Sequence, residues 1–423
     1  MQVVAPVPIF GLLEQRSNNH SVLAVLLAML PMLITAVSYG RMASLYPLAG
    51  SAYTYVGRSL NPHLGFLIGW SMFLDYLMIP LISAVIPALA IQRLCPGIPF
   101  WLLTLLIILV MTGLNLRGIR ATLRANAALL VVSSAAVGVF LLLAVRHTVS
   151  LKGWTGIISL GPLYNSATFK ASTVLSGVSL GALTYIGFDG LTTLAEDSMN
   201  PKRDMILAAV IVVLVTGILS GLELYFLHIV LPDWHLADPN TSYLDVMRTV
   251  GGPFLFASFI AVMSISQFGA GLSVQVGAAR LLYGMGRDRV LPRPLFGYLS
   301  PRSQNPSRNL VFIGALAFLG SVLIPFDDAL DLLNFGAFLG YIGVNAAAMW
   351  SYYVQPPADH KRNILSDLLF PFVGLLGCLI FWISLPERAK IVGGLWLLAG
   401  IAYCAFKTRG FRDRPMLSDF QER

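Results

Sequence analysis

The chain has 423 residues, of which 57% are hydrophobic and 11% are charged, against about 25% charged residues in average soluble domains. This composition excludes an ordinary soluble domain and predicts a membrane protein. The net charge of +8 does not indicate a nucleic-acid partner, because the basic residues are distributed as membrane-topology signals are. Three widely separated cysteines show no metal-ligand or disulfide spacing, so we expect no metal and no cofactor.

The opening segment, residues 1–13, is apolar but too short to cross a membrane, and it contains Pro6, Pro8 and Gly11. We predict that it is the second half of a broken helix, called span 1, whose first half is absent from this chain. Eleven further segments are apolar enough for membrane helices, which need about 20 residues. We number them spans 2 to 12, and they lie at roughly 21–46, 62–91, 100–115, 124–145, 172–196, 206–230, 253–279, 309–325, 330–354, 366–385 and 391–406.

The Lys and Arg residues predict the orientation of the spans. Twenty of the 28 fall on the side that holds the C-terminus, when span ends are counted with the adjoining loops. Because basic loops stay in the cytoplasm, we expect a multi-pass protein of the cell (inner) membrane, in contact with lipid, with a cytoplasmic C-terminus. Residues 280–294 are amphipathic and are predicted to lie along the cytoplasmic membrane surface.

Span 6 carries the most informative pattern. Gly181, Gly187 and Gly190 lie among apolar residues, and the carboxylate of Asp189 lies between the last two. Glycine weakens a helix by about 1 kcal/mol relative to alanine, and a charge at bilayer depth costs about 2.5 kcal/mol or more. Backbone leaves a helix in lipid only where it is buried in protein or lines a cavity. We therefore predict a broken helix that lines a mid-membrane cavity, which indicates transport.

Spans 1 and 6 are both interrupted by glycine or proline, five spans apart. Such a pair points to two inverted repeats with the substrate site between them. The predicted fold is an all-α membrane protein of inverted five-helix repeats, with broken helices 1 and 6, plus two C-terminal helices. No change in composition indicates a soluble domain. Residues 1–423 are therefore predicted to form one polytopic transmembrane domain, with span 1 partial and spans 2–12 complete.

Four passages carry a family resemblance. They are SYGRMASLYPLAGSAYTYVGRSLNPHLGFLIGWSMFLDYLMIP at 38–80, YIGFDGLTTLAEDSMNPKRD in span 6, RLLYGMGRDRVLPRPLFGYLSPRSQNP at 280–306, and NFGAFLGYIGVN at 334–345. In this order they resemble the amino acid–polyamine–organocation permeases, and within these the bacterial putrescine importers. The resemblance implies twelve helices, a ten-helix core of inverted repeats, and substrate exchange or movement with protons.

The start of the chain departs from this family. Its members carry a cytosolic tail and a first half of helix 1 ahead of a stretch similar to APVPIFG, which begins here at Ala5. A misassigned start codon and a truncated, inactive copy are the two explanations that we consider. Residues 5–11 also lack the run of small residues that lets backbone approach a carboxylate, which slightly favours an amine substrate.

The helix breaks and the resemblance together give the candidate substrate-binding residues. At a break, free N–H groups attract anions and free C=O groups attract cations. The resemblance also places the LDYL element of span 3 near the site. The candidates are Ala5, Pro6, Val7 and Phe10 in span 1, Asp75 and Tyr76 in span 3, and Leu183, Thr184, Gly187, Phe188 and Asp189 in span 6.

Several candidates have structural alternatives. Phe188 is either an aromatic lid whose face attracts a cation or a packing residue. Asp189 either meets a substrate amine or proton, or caps the second half of span 6. Asp75 is either a direct ligand or a hydrogen-bonded structural acid. The candidate proton carriers are Asp75, Asp189 and Glu223, the last in the middle of span 7.

Further polar residues are weighed between structure and function. Span 8 carries a stripe of small and polar residues that either packs against other helices or lines the site. Glu196 and Asp197 are expected to form cytoplasmic ion pairs, so Asp189→Asn should weaken transport far more than Glu196→Gln. Span 5 has serines where some proton-coupled relatives carry a lysine. The residues are Ser264, Ser266, Gln267, Gly271, Ser273 and Gln275 in span 8, and Ser133 and Ser134 in span 5.

These observations favour a secondary active transporter that imports an amino acid or a polyamine such as putrescine by alternating access, with H+ as the coupling ion. The alternatives are an amino acid exchanger and a truncated, non-transporting permease-like protein or sensor. An enzyme is not expected, because the six histidines are scattered and show no catalytic arrangement.

Overall fold

The computed structural model describes residues 4–47, 51–118, 123–191, 200–232, 238–287, 291–300, 305–358 and 360–413. Within these ranges the regular structure is helical, and no strand is present. Glu196, Asp197 and the second half of span 6 lie outside the described residues, so their predicted roles stay predictions.

Each predicted span from 2 to 12 corresponds to a helix. Nine described helices are long and apolar enough to cross a membrane, and spans 4 and 9 are shorter apolar helices. The all-α membrane transporter fold is thereby confirmed, while the inverted repeat stays a prediction. The spans are Phe10–Ser17 (span 1), Ser21–Leu45 (2), Pro62–Gln92 (3), Phe100–Leu116 (4), Leu123–Lys152 (5), Ala171–Gly181 (6), Pro201–Val230 (7), 253–287 within Ser242–Arg287 (8), Ser307–Leu323 (9), Phe326–Met349 (10), Phe370–Ile383 (11) and Glu387–Lys407 (12).

Shorter helical elements accompany the spans. A 3-10 helix, Val7–Ile9, precedes span 1, and π-helical segments extend span 10 to Val354 and begin span 11 at Ile364. The helix Ser51–Ser59 follows span 2 and was not predicted, because it is short and amphipathic. Residues 242–251 form another unpredicted helix, which Gly252 separates from span 8 by a non-helical backbone with φ 64°.

The C-terminal end of span 8 is a continuation of its helix. Residues 280–287 extend that helix, and a short helix, Arg293–Phe296, follows. The predicted position of 280–294 along the cytoplasmic membrane surface stays a prediction. The side-chain amide of Asn309 donates to the carbonyl of Ala279 at 3.1 Å and to that of Phe296 at 2.9 Å. This bridge holds the end of span 8 against the returning chain, and Leu282 is buried beneath it. The amphipathic pattern therefore reflects a helix end that is packed on one side.

Close helix packing fixes the walls of the molecular centre. Spans 3 and 8 run antiparallel, with Gly271 against Ser83 and Gly277 against Tyr76. On another side of span 3, Gly336 of span 10 lies so close to the backbone of Ser71 that a Cβ would not fit. Small residues allow such approaches between membrane helices. Spans 8 and 10 thereby hold the middle of span 3 from two sides.

Candidate substrate site

The break in span 6 lies where the glycine pattern predicts it. The α-helix ends at Gly181, a 3-10 turn continues to Tyr185, and Ile186 is extended with φ −60° and ψ 135°. Gly187 has φ 109°, a conformation that residues with a side chain rarely adopt. Its N–H donates to Oδ1 of Asp189 at 3.1 Å. Asp189 thus stabilises the break locally and also lines a cavity, while its predicted role as a cap of the second half-helix stays a prediction.

We expect Gly187→Ala to destabilise the protein by about 1–3 kcal/mol, because the positive φ strains any side chain even though the surrounding space is open. Substrate uptake should fall with it, since Asp189 loses its local support. The control is Gly284→Ala in the regular part of span 8, where the added Cβ also meets open space. Thermal unfolding of the purified variants measures the difference, and equal Tm values for the two would contradict the assignment.

Span 1 contributes a different set of residues from the predicted one. Ala5, Pro8 and Ile9 line the cavity. Pro6, Val7 and Phe10 are buried and do not line it in this conformation. The short 3-10 helix Val7–Ile9 places Pro8 and Ile9 at the cavity, while Ala5 reaches it from the turn before the helix. Of the predicted residues in span 1, Ala5 alone lines the cavity.

The cavity lies between the start of span 1, the break in span 6 and the walls of spans 3, 5, 8 and 10. Its volume is about 520 Å³, within the usual range for small-molecule sites. From the predicted list, Leu183, Thr184 and Gly187 line it. Apolar side chains form much of the remaining wall, among them Ile79, Ile82, Ile86, Leu330 and Leu333.

Two carboxyl groups face this cavity. Asp75 and Asp189 both line it, and each is about 5% exposed or less. Oδ1 of Asp75 has no hydrogen-bond partner among the described residues. The two carboxyls interact electrostatically with each other, and Tyr76 beside them also lines the cavity. Among the described lining residues there is no Lys, Arg or His. Among the described lining residues, the two carboxyl groups are therefore not matched by a basic side chain.

Phe188 packs in an aromatic cluster and does not line the cavity. Its side chain is fully buried, with ring centroids 5.5 Å from Tyr39 and 5.3 Å from Tyr341. Tyr39 also contacts Tyr55 at 6.2 Å. Asp189 interacts electrostatically with the phenols of Tyr39 and Tyr341. In this conformation the packing interpretation of Phe188 describes its contacts, and its predicted role as a lid stays a prediction.

Glu223 is separate from the cavity. It is fully buried in span 7, and neither carboxyl oxygen has a hydrogen-bond partner among the described residues. A buried ionised carboxylate without a partner is very costly. That environment suits a proton carrier, and the role stays a prediction.

The polar stripe of span 8 divides into two parts. Gln275 accepts from Asn115 and donates to Thr112 and to the Leu310 carbonyl, so it joins helices. Ser266, Gln267 and Ser273 line the cavity, together with Ser133 of span 5, whereas Ser264, Gly271 and Gln275 do not. The hydroxyls of Ser133 and Ser266 are 2.8 Å apart and share a hydrogen bond.

Sequence reasoning missed two polar groups near the C-terminal end of span 1. Arg16 at the end of span 1 makes a bidentate ion pair with Asp331 of span 10, at 2.5 and 2.7 Å. Glu14, fully buried, accepts from the hydroxyl of Ser21 and lies 3.1 Å from Nδ1 of His228. The sequence shows a run of polar residues after the apolar opening segment, and this run could have drawn attention to Glu14 and Arg16. Their partners could not be identified, because these lie up to 315 residues away in the sequence.

Comparisons with known proteins agree with this architecture. The family profile described as "Amino acid permease" matches residues 5–406. The chain belongs to the amino acid permease family. It is 31% identical over 420 residues to the low-affinity putrescine importer PlaP of Escherichia coli K12, covering 98% of this chain and 91% of the relative.

Other relatives share the scaffold with different named substrates. The branched-chain amino acid permease BcaP of Lactococcus lactis is 26% identical over 422 residues, covering 92% of this chain and 87% of the relative. The methylthioribose transporter of Bacillus subtilis is 24% identical over 413 residues, covering 90% and 84%. The chain is therefore a membrane transporter of amino acids or polyamines and not an enzyme, and the family scaffold alone does not select its substrate.

Proposed function

We propose that this protein imports a small diamine such as putrescine. The observation that carries the proposal is the cavity with two carboxyl groups, Asp75 and Asp189, and no basic side chain among its described lining residues. An ammonium group next to a buried carboxylate offsets the cost of burying either charge. The similarity to the putrescine importer of Escherichia coli supports the same substrate class.

Charge balance favours a diamine over a zwitterionic amino acid. Two ammonium groups neutralise two carboxylates, while the apolar walls, such as Ile79 and Leu333, suit a polymethylene chain. An amino acid would bring its own carboxylate close to Asp75 and Asp189. Like charges in a poorly solvated site repel strongly. In the described part of the span 1 break, Ala5, Pro8 and Ile9 line the cavity without a cationic group to receive that carboxylate.

Transport is proposed to proceed by alternating access, with the cavity opening to either side in turn. The interrupted helices of spans 1 and 6 give the flexible elements, and the Arg16–Asp331 pair joins spans 1 and 10 on the outer side. We propose H+ as the coupling ion, since the cavity carboxyls and Glu223 are groups that can exchange a proton. The Lys and Arg distribution supports an inner-membrane location with a cytoplasmic C-terminus.

Uptake into reconstituted vesicles tests the proposal. The full chain is compared with empty vesicles for radiolabelled putrescine, leucine and arginine, each with and without an inward proton gradient. The expected result is saturable putrescine uptake that the gradient accelerates, with little uptake of leucine. Uptake of leucine alone would identify an amino acid permease, and the absence of uptake for all three would support the non-transporting alternative.

A further inference from the structure

Gln267 in span 8 is a polar group that the proposed diamine site leaves unused. Its side chain is 7% exposed and lines the cavity. It makes no hydrogen bond to a described residue, unlike Gln275 on the same helix, which makes three to side chains and backbone. A buried amide without a partner costs about 1–3 kcal/mol. An unpaired amide that faces a cavity therefore indicates a ligand group that bonds to it.

The packing of spans 3 and 8 separates Gln267 from Asp75. Gly271 faces Ser83, and the two helices run antiparallel. From that crossing level, Asp75 lies eight residues along span 3, about 12 Å at 1.5 Å per residue. Gln267 lies four residues along span 8 in the opposite direction, about 6 Å. The Cα atoms of Asp75 and Gln267 are thus about 18 Å apart along the helix axes. The distance between their polar atoms is smaller by as much as the two side chains extend towards each other.

A four-carbon diamine is too short to span this distance. Extended chain covers about 3.6 Å for three bonds, so the two nitrogens of putrescine lie about 6 Å apart. A triamine or tetraamine of the spermidine or spermine type reaches about 11–16 Å on the same scale. The apolar residues between the ends, including Ile79 and Ile82, match the methylene segments of such a chain.

The chemistry at the Gln267 end suits an amine nitrogen. The amide oxygen of Gln267 is an acceptor, and the hydroxyls of Ser133 and Ser266 line the same cavity and bond to each other at 2.8 Å. Hydroxyl oxygens accept further hydrogen bonds from an N–H donor. We propose that Gln267, with Ser133 and Ser266, forms a second subsite for the distal nitrogen of a linear polyamine longer than putrescine. This rests on the proposed diamine function of the Asp75–Asp189 end.

The test compares inhibitors of different length. Uptake of labelled putrescine by the full chain in vesicles is inhibited with unlabelled putrescine or spermine, for the wild type, Gln267→Leu and Gln267→Glu. Losing a hydrogen bond to a charged group corresponds to about a tenfold change in affinity or more. Gln267→Leu should therefore raise the half-inhibitory concentration of spermine about tenfold relative to that of putrescine. Gln267→Glu should lower the half-inhibitory concentration of spermine relative to that of putrescine. Ser264→Ala, on the same helix outside the cavity, is the control.

The outcomes separate this subsite from the proposed function. If the wild type takes up putrescine but both Gln267 variants leave the spermine-to-putrescine ratio unchanged, the subsite is wrong and the diamine function stands. If the wild type takes up no putrescine, the proposed function fails. The subsite is then tested by the rise in Tm that spermine gives the purified chain, which Gln267→Leu should abolish. A Tm rise retained in that variant would overturn the subsite as well.

Discussion

Asp75→Asn is expected to reduce putrescine uptake about 30-fold or more. Asparagine keeps the size of the side chain but removes the charge that we propose meets a substrate ammonium. Removing one partner of a buried charge pair costs about 2 kcal/mol or more, and each 1.4 kcal/mol is a factor of ten. The initial rate of labelled putrescine uptake into vesicles, normalised to the protein incorporated, measures the effect. Asp189→Asn should reduce uptake similarly, and it also weakens the hydrogen bond from Gly187.

The matched control is Asp328→Asn in the first turn of span 10. Asp328 lies 3.9 Å from Arg388, its side chain is 24% exposed, and it does not line the cavity. Such surface pairs contribute about 0–1 kcal/mol, so uptake should change little. Equal uptake by Asp75→Asn and Asp328→Asn would remove Asp75 from the substrate site. A loss of Tm in Asp75→Asn matching its loss of uptake would assign it the structural role instead.

The sequence could predict the parts of the site that depend on local backbone chemistry. The glycines around Asp189 placed the break in span 6, because few residues other than glycine adopt the backbone of Gly187. An acid in the middle of span 3 predicted a group facing a polar interior, since lipid does not tolerate it. Asp75 does line the cavity. In both cases one residue and its immediate neighbours carry the physical argument.

The sequence could not predict which of the candidate side chains face the cavity and which pack against a neighbouring helix. Phe188 and Asp189 are adjacent, yet one is packed against Tyr39 and Tyr341 while the other lines the cavity. Likewise Gln267 and Gln275 lie two turns apart in one polar stripe, and only Gln267 faces the cavity. These differences depend on which helix packs against each residue. The local sequence of a single helix does not contain that information.

The ion pair between Arg16 and Asp331 is expected to contribute strongly to the stability of the protein. Asp331 is 1% exposed and the Arg16 side chain 13%. Arg16→Met leaves a buried carboxylate without its guanidinium, which costs about 3–5 kcal/mol. The double variant Arg16→Met with Asp331→Leu leaves no charge behind and should recover most of that loss, because apolar replacement of a buried pair is often neutral.

A double-mutant cycle on thermal stability measures this coupling. The Tm of the purified chain is determined for the wild type, each single variant and the double variant in one detergent. A strongly lowered Tm in Arg16→Met and a nearly restored Tm in the double variant are expected, since the interaction energy is carried by the pair itself. Additive losses would instead mean that each residue stabilises the protein through other neighbours. Because the pair joins span 1 to span 10, a recovered Tm with altered putrescine uptake would assign the pair to the movement of span 1 during transport.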